Sequence, residues 1–185
     1  MLALILILLA GPGSGASSPK PLRVPAPTLE SGLPLLRNFT PKETGGGTQN
    51  WAIVQDPRGV IYVGNQEGVL EFDGVRWRLI RVANKTVVRS LAVDHSGRIY
   101  VGAVGELGVL EPDAAGQMRY MSWMNRIPSE ERGFADVWQT FATKEGIVFR
   151  TSTRIFRVGT RAEVWKPRTS FHKVFQVRDR LFARE

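Results

Sequence analysis

Asp56-Pro57-Arg58-Gly59-Val60-Ile61-Tyr62-Val63-Gly64 is echoed by Asp94-His95-Ser96-Gly97-Arg98-Ile99-Tyr100-Val101-Gly102. The two windows share six of nine residues at an offset of 38 positions. Downstream, Gly68-Val-Leu-Glu-Phe-Asp73 is matched by Gly108-Val-Leu-Glu-Pro-Asp113 at an offset of 40. A weaker third copy runs from Thr143 to Thr151 and from Arg154 to Val158, and a fourth begins at Val174. Each copy has one grammar. An apolar strand comes first, such as Trp51 to Gln55 or Arg89 to Val93. An Asp-x-x-Gly turn follows, in which the carboxylate accepts backbone N–H groups and glycine supplies a positive φ. An Ile-Tyr-Val strand comes next. A third strand starts at Val69 or Val109, and an outer one covers Trp77 to Ile80 or Met118 to Met121. Four short strands per repeat of about 40 residues define a β-propeller blade.

The fold class expected is therefore all-β, a propeller of four-stranded antiparallel blades at about 50–82, 87–123, 135–166 and 171–185. A single open sheet or a sandwich would leave the spacing unexplained. No helix is expected. Rings hold about 4–8 blades, so about three and a half blades are expected to be part of a longer protein. Its missing C-terminal blades would then be the partners of this chain. Leu33 to Thr40, LPLLRNFT, is available as a ring-closing strand. Gly45-Gly46-Gly47 has no following Lys-Ser/Thr and reads as a loose turn rather than a phosphate loop.

Composition bounds the chemistry. The 185 residues include no cysteine and two histidines, which excludes disulfides, thiolate metal sites and a cysteine nucleophile. Hydrophobic residues at 43% and charged residues at 23% exclude a chain disordered throughout. The net charge is +8, and residues 150–185 carry ten Lys and Arg against three acids, seven of those eight charges. Aromatic residues alternate along that segment and read as core, so no nucleic acid is expected as a partner.

Residues 2–10, LALILILLA, are too few to span a bilayer and are followed by Ser14-Gly15-Ala16. They predict a secretory signal over 1–16 and then a Pro- and Ser-rich linker over 17–32. The chain is expected on the periplasmic or extracellular side. Membrane attachment is expected only through a segment downstream of this one. Asn38-Phe39-Thr40 is a glycosylation sequon.

No catalytic constellation emerges. His95 reads as a turn residue and His172 as a loop residue. Asp56, Asp73, Asp94 and Asp113 recur because each blade needs its turn. No cofactor and no metal is expected. The loops between second and third strands and the links between blades open on one face. The ligand-binding candidates there are Asn65, Gln66, Glu67, Asn84, Lys85, Glu106, Ser152 and Thr153. Their amides, lysine and carboxylates suit a small or polymeric polar, sugar-like extracellular ligand.

Trp51 to Val158 resembles the two-component regulator propeller repeats. The resemblance rests on Gln49-Asn50-Trp51, the paired D-x-x-G-x-I-Y-V-G segments, Gly68 to Trp77, Val88 to Leu91 and Gly105 to Gly108. It implies the ligand-sensing periplasmic region of a hybrid histidine kinase or diguanylate cyclase, with the output domain elsewhere and no enzyme activity in this chain. A secreted propeller enzyme, lactonase- or lyase-like, and a protein-interaction scaffold are the alternatives.

Overall fold

The computed structural model describes residues 36–178 and 180–185. The expected signal and linker lie outside the described residues, as do residues 33–35. Three four-stranded antiparallel sheets follow one another along the chain, each in simple meander order. The first contains β1 (Asn50–Gln55), β2 (Ile61–Asn65), β3 (Gly68–Phe72) and β4 (Trp77–Ile80). The second contains β5 (Val88–Val93), β6 (Ile99–Ala103), β7 (Glu106–Pro112) and β8 (Met118–Ser122). The third contains β9 (Gln139–Thr143), β10 (Gly146–Arg150), β11 (Ile155–Val158) and β12 (Ala162–Trp165). A two-stranded sheet, β13 (Lys173–Val177) with β14 (Arg180–Arg184), begins a fourth. The fold is an arc of a β-propeller. β1 lies beside β5 and β5 beside β9, so the first strand of each blade is the inner one.

The predicted turns form as the sequence requires. Asp56 Oδ1 accepts from the N–H groups of Arg58 and Val60, and Asp94 Oδ1 from those of Ser96 and Arg98. Gly59 and Gly97 close these turns at φ 88° and 84°, where a side chain would be strained.

The main apolar clusters lie in the seams between blades. Tyr62, Val69 and Ile80 of the first sheet meet Val88, Leu91, Ile99, Val101 and Leu110 of the second. Tyr100, Leu107 and Val109 of the second meet Ile147, Phe149, Phe156 and Val158 of the third. A smaller set, Val148, Ile155, Phe171, Val174 and Ala183, fills the third seam. The middle blade is covered on both sides, and all five residues of β6 are buried. β1 is covered on one side only and leaves Ile53 70% exposed. Each buried Val, Leu, Ile or Phe contributes about 1.5–3 kcal/mol, so the seams carry most of the stability.

The glycine that ends each Ile-Tyr-Val-Gly strand is required by space. A Cβ on Gly64 would stand 3.0 Å from Val88 Cγ1. On Gly102 it would stand 2.5 Å from both Ser90 Oγ and Val137 Cγ1. The next blade's inner strand passes directly over these positions. In the third blade the same place is taken by Arg150, which pairs with Gln139 as Gly64 pairs with Ala52 and Gly102 with Ser90. Arg150 is buried, donates from Nε to Gln139 Oε1 and from Nη1 to the Phe171 carbonyl, and has its pKa lowered by desolvation. Gln139 in turn bridges to β13, accepting from Val174 N at 2.8 Å and donating to Val174 O at 3.0 Å. Side chains thus fill the third seam where strand lies against strand in the first two.

Three expectations are corrected. Residues 36–40 form no strand. Thr40-Pro41-Lys42-Glu43 is a capping box that starts a one-turn helix, α1 (Pro41–Thr44), so the apolar run ends where a helix begins. Two short 3₁₀ turns, Met124–Arg126 and Ser129–Glu131, lie in the link between second and third blades. The glycine run is pinned rather than loose: Gly47 N donates to Asn65 Oδ1, and Asn65 Nδ2 donates to Gly47 O, both at 2.9 Å. Phe39 packs on Phe72 and Trp77 at 5.2 Å, so this segment covers the outer half of the first blade's free face.

Candidate functional site

The predicted face is built by stitching each blade link to the neighbouring loop. Asn84 Nδ2 and Thr86 Oγ1 both donate to the Val104 carbonyl. Gly105 N donates to Ala135 O, and Phe171 N to Ser152 O. Two of the eight candidates are internal. Asn65 is fully buried and holds Gly47, Gln49, Asn50 and Glu67. Glu106 is 6% exposed and accepts from the Tyr120 and Ser122 hydroxyls. Their polar atoms build the loops instead of facing solvent. Gln66, half-buried, and Glu67, Asn84, Lys85, Ser152 and Thr153, exposed, remain on the surface. Lys85 stands out with a left-handed φ of 56°, held by a turn in which its N–H donates to Val82 O. These six are distributed blade by blade around the face.

A cluster the sequence analysis missed sits at the axial end of that face. Trp51, Arg89 and Trp138 hold one structural position in three successive blades. Each directly precedes the residue paired with the glycine or arginine position described above. Irregularities in the β1–β2 and β5–β6 ladders turn Trp51 and Arg89 out of their strands. The Arg89 guanidinium lies 3.9 Å from the Trp51 ring centroid and 5.0 Å from that of Trp138. The two indoles meet edge-on at 6.3 Å. Arg89 Nε donates to Asp136 Oδ1 at 2.6 Å. Charge is therefore neutralised between two half-open aromatic faces.

A large hollow lies on the opposite face. A groove of about 620 Å³ runs between the second and third blades at the Asp-x-x-Gly turns. His95 and Arg98 enter from one turn, Lys144 and Glu145 from the next, and Trp123 and Arg126 from the inserted 3₁₀ turn. Trp123 packs on Tyr100 at 5.5 Å, and Tyr100 donates to Asp94 Oδ2 at 2.9 Å. Burial raises the Asp94 pKa, but bonds from Ser96, Arg98 N and Tyr100 outweigh it and keep the carboxyl below its ordinary range. His95, read from sequence as a turn residue, is in that turn and also lines the groove. His172 is exposed, and its N–H donates to Arg184 O.

Much of the basic C-terminal segment is spoken for. Glu131 binds Arg154 and Lys166, which lower its pKa, and Arg157 binds Glu163. Among the described residues no cluster of three or more His, Asp or Glu side chains is placed to hold a metal ion, and no helix is long and apolar enough to cross a membrane.

No protein-family profile and no curated protein sequence matches the chain. Solved structures do. The extracellular domain assigned to a hybrid two component system of B. thetaiotaomicron superposes with a TM-score of 0.53 at 18% identity, over 72% of this chain and 20% of that one. An extracellular domain assigned to a one component system of B. thetaiotaomicron gives 0.53 at 15%, over 75% and 20%. Virginiamycin B lyase from Staphylococcus aureus gives 0.50 at 12%, over 75% and 49%. The chain thus spans about a fifth of the length of the two extracellular domains (20% of each). At these identities the likeness defines the fold alone: an arc of a β-propeller.

Proposed function

We propose that this chain is the blade-forming part of an extracytoplasmic ligand-sensing propeller in a membrane-bound two-component sensor or diguanylate cyclase, with further blades of the same protein continuing the ring. The likeness to extracellular domains assigned to a hybrid two component system and a one component system supports this, as do the repeat motifs that resemble the two-component regulator propellers. The observation that carries it is the Trp51–Arg89–Trp138 cluster, where two blades present half-open aromatic surface on either side of an arginine from the blade between them, at the mouth of the axis. Recognition groups on a rigid scaffold are the usual arrangement for binding. Ligand binding would act by shifting the population of domain arrangements in the receptor.

The test is binding by the purified chain to a panel of soluble oligosaccharides and polyols, read by thermal shift and by NMR of the solute. A saturable rise in the unfolding midpoint with the solute chemically unchanged is expected. Conversion of a solute to product would overturn sensing in favour of a lyase-like enzyme, and a panel without any response would overturn it outright.

A further inference from the structure

From the groove between the second and third blades we infer a binding site for a small organic carboxylate. The inference rests on the ligand-sensing function above but places the contact on the other face. Its first support is volume. The roughly 620 Å³ groove falls within the range of about 300–1,000 Å³ typical of small-molecule sites.

The second support is an imbalance of charge that the neighbouring seam shares only at its edge, through Arg98. Between the first and second blades, the same face has hollows lined by Arg58, Arg76 and Arg78, with Arg98 at the boundary shared with the larger groove. Arg58, Arg76 and Arg78 each have their own carboxylate: Asp56 at 2.7 Å, Asp73 at 3.9 Å and Glu71 at 2.5 Å. In the larger groove, Arg98 and Arg126 are exposed and, among the described residues, neither has a carboxylate within 4 Å. Arg126 lies instead over the Trp123 ring, 4.3 Å from its centroid. The groove's own acids are committed elsewhere or peripheral. Asp94 accepts from Ser96, Arg98 N and Tyr100, Glu145 faces Arg157 at 3.6 Å, and Glu111 is at the exposed end of β7.

The third support is the origin of the wall. Trp123 and Arg126 belong to an inserted link that has no counterpart between the first and second blades, where only residues 81–87 join the sheets. Guanidinium groups at the rim fit a carboxylate through paired N–H donors. Val93, Ala142, Ile147 and Val158 supply an apolar floor for the body that carries it.

The experiment titrates the chain with two matched pairs, glucuronate against glucose and benzoate against benzyl alcohol, at constant ionic strength with chloride as the balancing anion. Saturation-transfer NMR and backbone shifts are the readouts. One acid or both should bind at least fivefold more tightly than the neutral partner, with shifts at Arg98, Trp123 and Arg126. Which acid binds distinguishes a sugar acid from an aromatic one. Arg126→Gln, and Arg98→Gln with Arg126→Gln, should abolish the preference, while Asn84→Ala with Lys85→Ala should leave it intact. Both arginines are exposed, so the variants retain the fold, which circular dichroism checks. Equal binding of acid and neutral partner, or no binding of either acid, overturns the inference. Loss of acid binding in the Asn84/Lys85 variant alone also overturns it, while leaving the sensing function standing.

Discussion

Arg89 lies against Trp51 across a blade boundary, its guanidinium 3.9 Å from the indole centroid. The contact joins the inner strands of two blades at their axial ends, and Asp136 holds the guanidinium from a third direction. A cation over a partly desolvated indole is worth about 0.5–2 kcal/mol. A double-mutant cycle of Arg89→Met and Trp51→Leu should return a coupling of that size by denaturant unfolding. A coupling near zero would show that the three side chains are merely adjacent.

Glycine substitution separates space from conformation. Gly102→Ala should cost about 1–3 kcal/mol, because the new methyl would overpack against Ser90, Val137 and Thr140. Gly133→Ala, with open space around it, should stay within about 0.5 kcal/mol of the parent. Urea midpoints at an unchanged m-value would check both.

Stability should fall at both ends of the pH range. Asp73, Asp94, Asp113 and Glu131 all have pKa values lowered in the folded state, by backbone N–H groups, by Arg119 at Asp113 and by Lys166 at Glu131. Below the ordinary values of 3.8 for Asp and 4.5 for Glu, the unfolded chain binds more protons than the folded one. Their contribution is present above that range and is lost as pH falls through the lowered values. At the alkaline end, burial, then Glu71 and Asp56, push Tyr62 up to about 12, and burial with Glu106 also raises Tyr120. Above the ordinary value of 10.0 the unfolded phenols ionise first, and stability falls as pH climbs from there toward 12. Thermal midpoints measured from pH 2 to pH 12 should show both limbs.

The Gln139 bridge makes a local prediction. Gln139→Leu removes both bonds to Val174 and should speed hydrogen exchange in β13 and β14, with β1 to β8 unchanged. Uniform acceleration across all blades would mean that the third seam unfolds together with the others.

The strand-turn grammar was legible because each Asp-x-x-Gly turn has a local cause in the chain. The role of the glycine after Ile-Tyr-Val was not, since the strand that demands it lies well away in sequence. The third copy looked faint for the same reason: Arg150 stands where the pattern has glycine. Thr40-x-x-Glu43 was a readable helix start, overlooked beside the apolar run before it. Trp51, Arg89 and Trp138 share a position but not a chemistry, so repeat matching treats them as differences. The groove depends on an inserted link whose course nothing in the repeat foretells. Asn65 and Glu106 were chosen for their polarity, and that polarity is consumed inside the loops.

In the first two seams, inner strand lies on inner strand over a bare glycine, so neighbouring blades are coupled like stacked plates. At Arg150 a long cationic side chain stands between the plates, and side-chain bonds from Gln139 and Arg150 with a smaller apolar set fasten them. Pulled or twisted from its ends, such an arc should yield first at this joint, with the three earlier blades moving together as a lever.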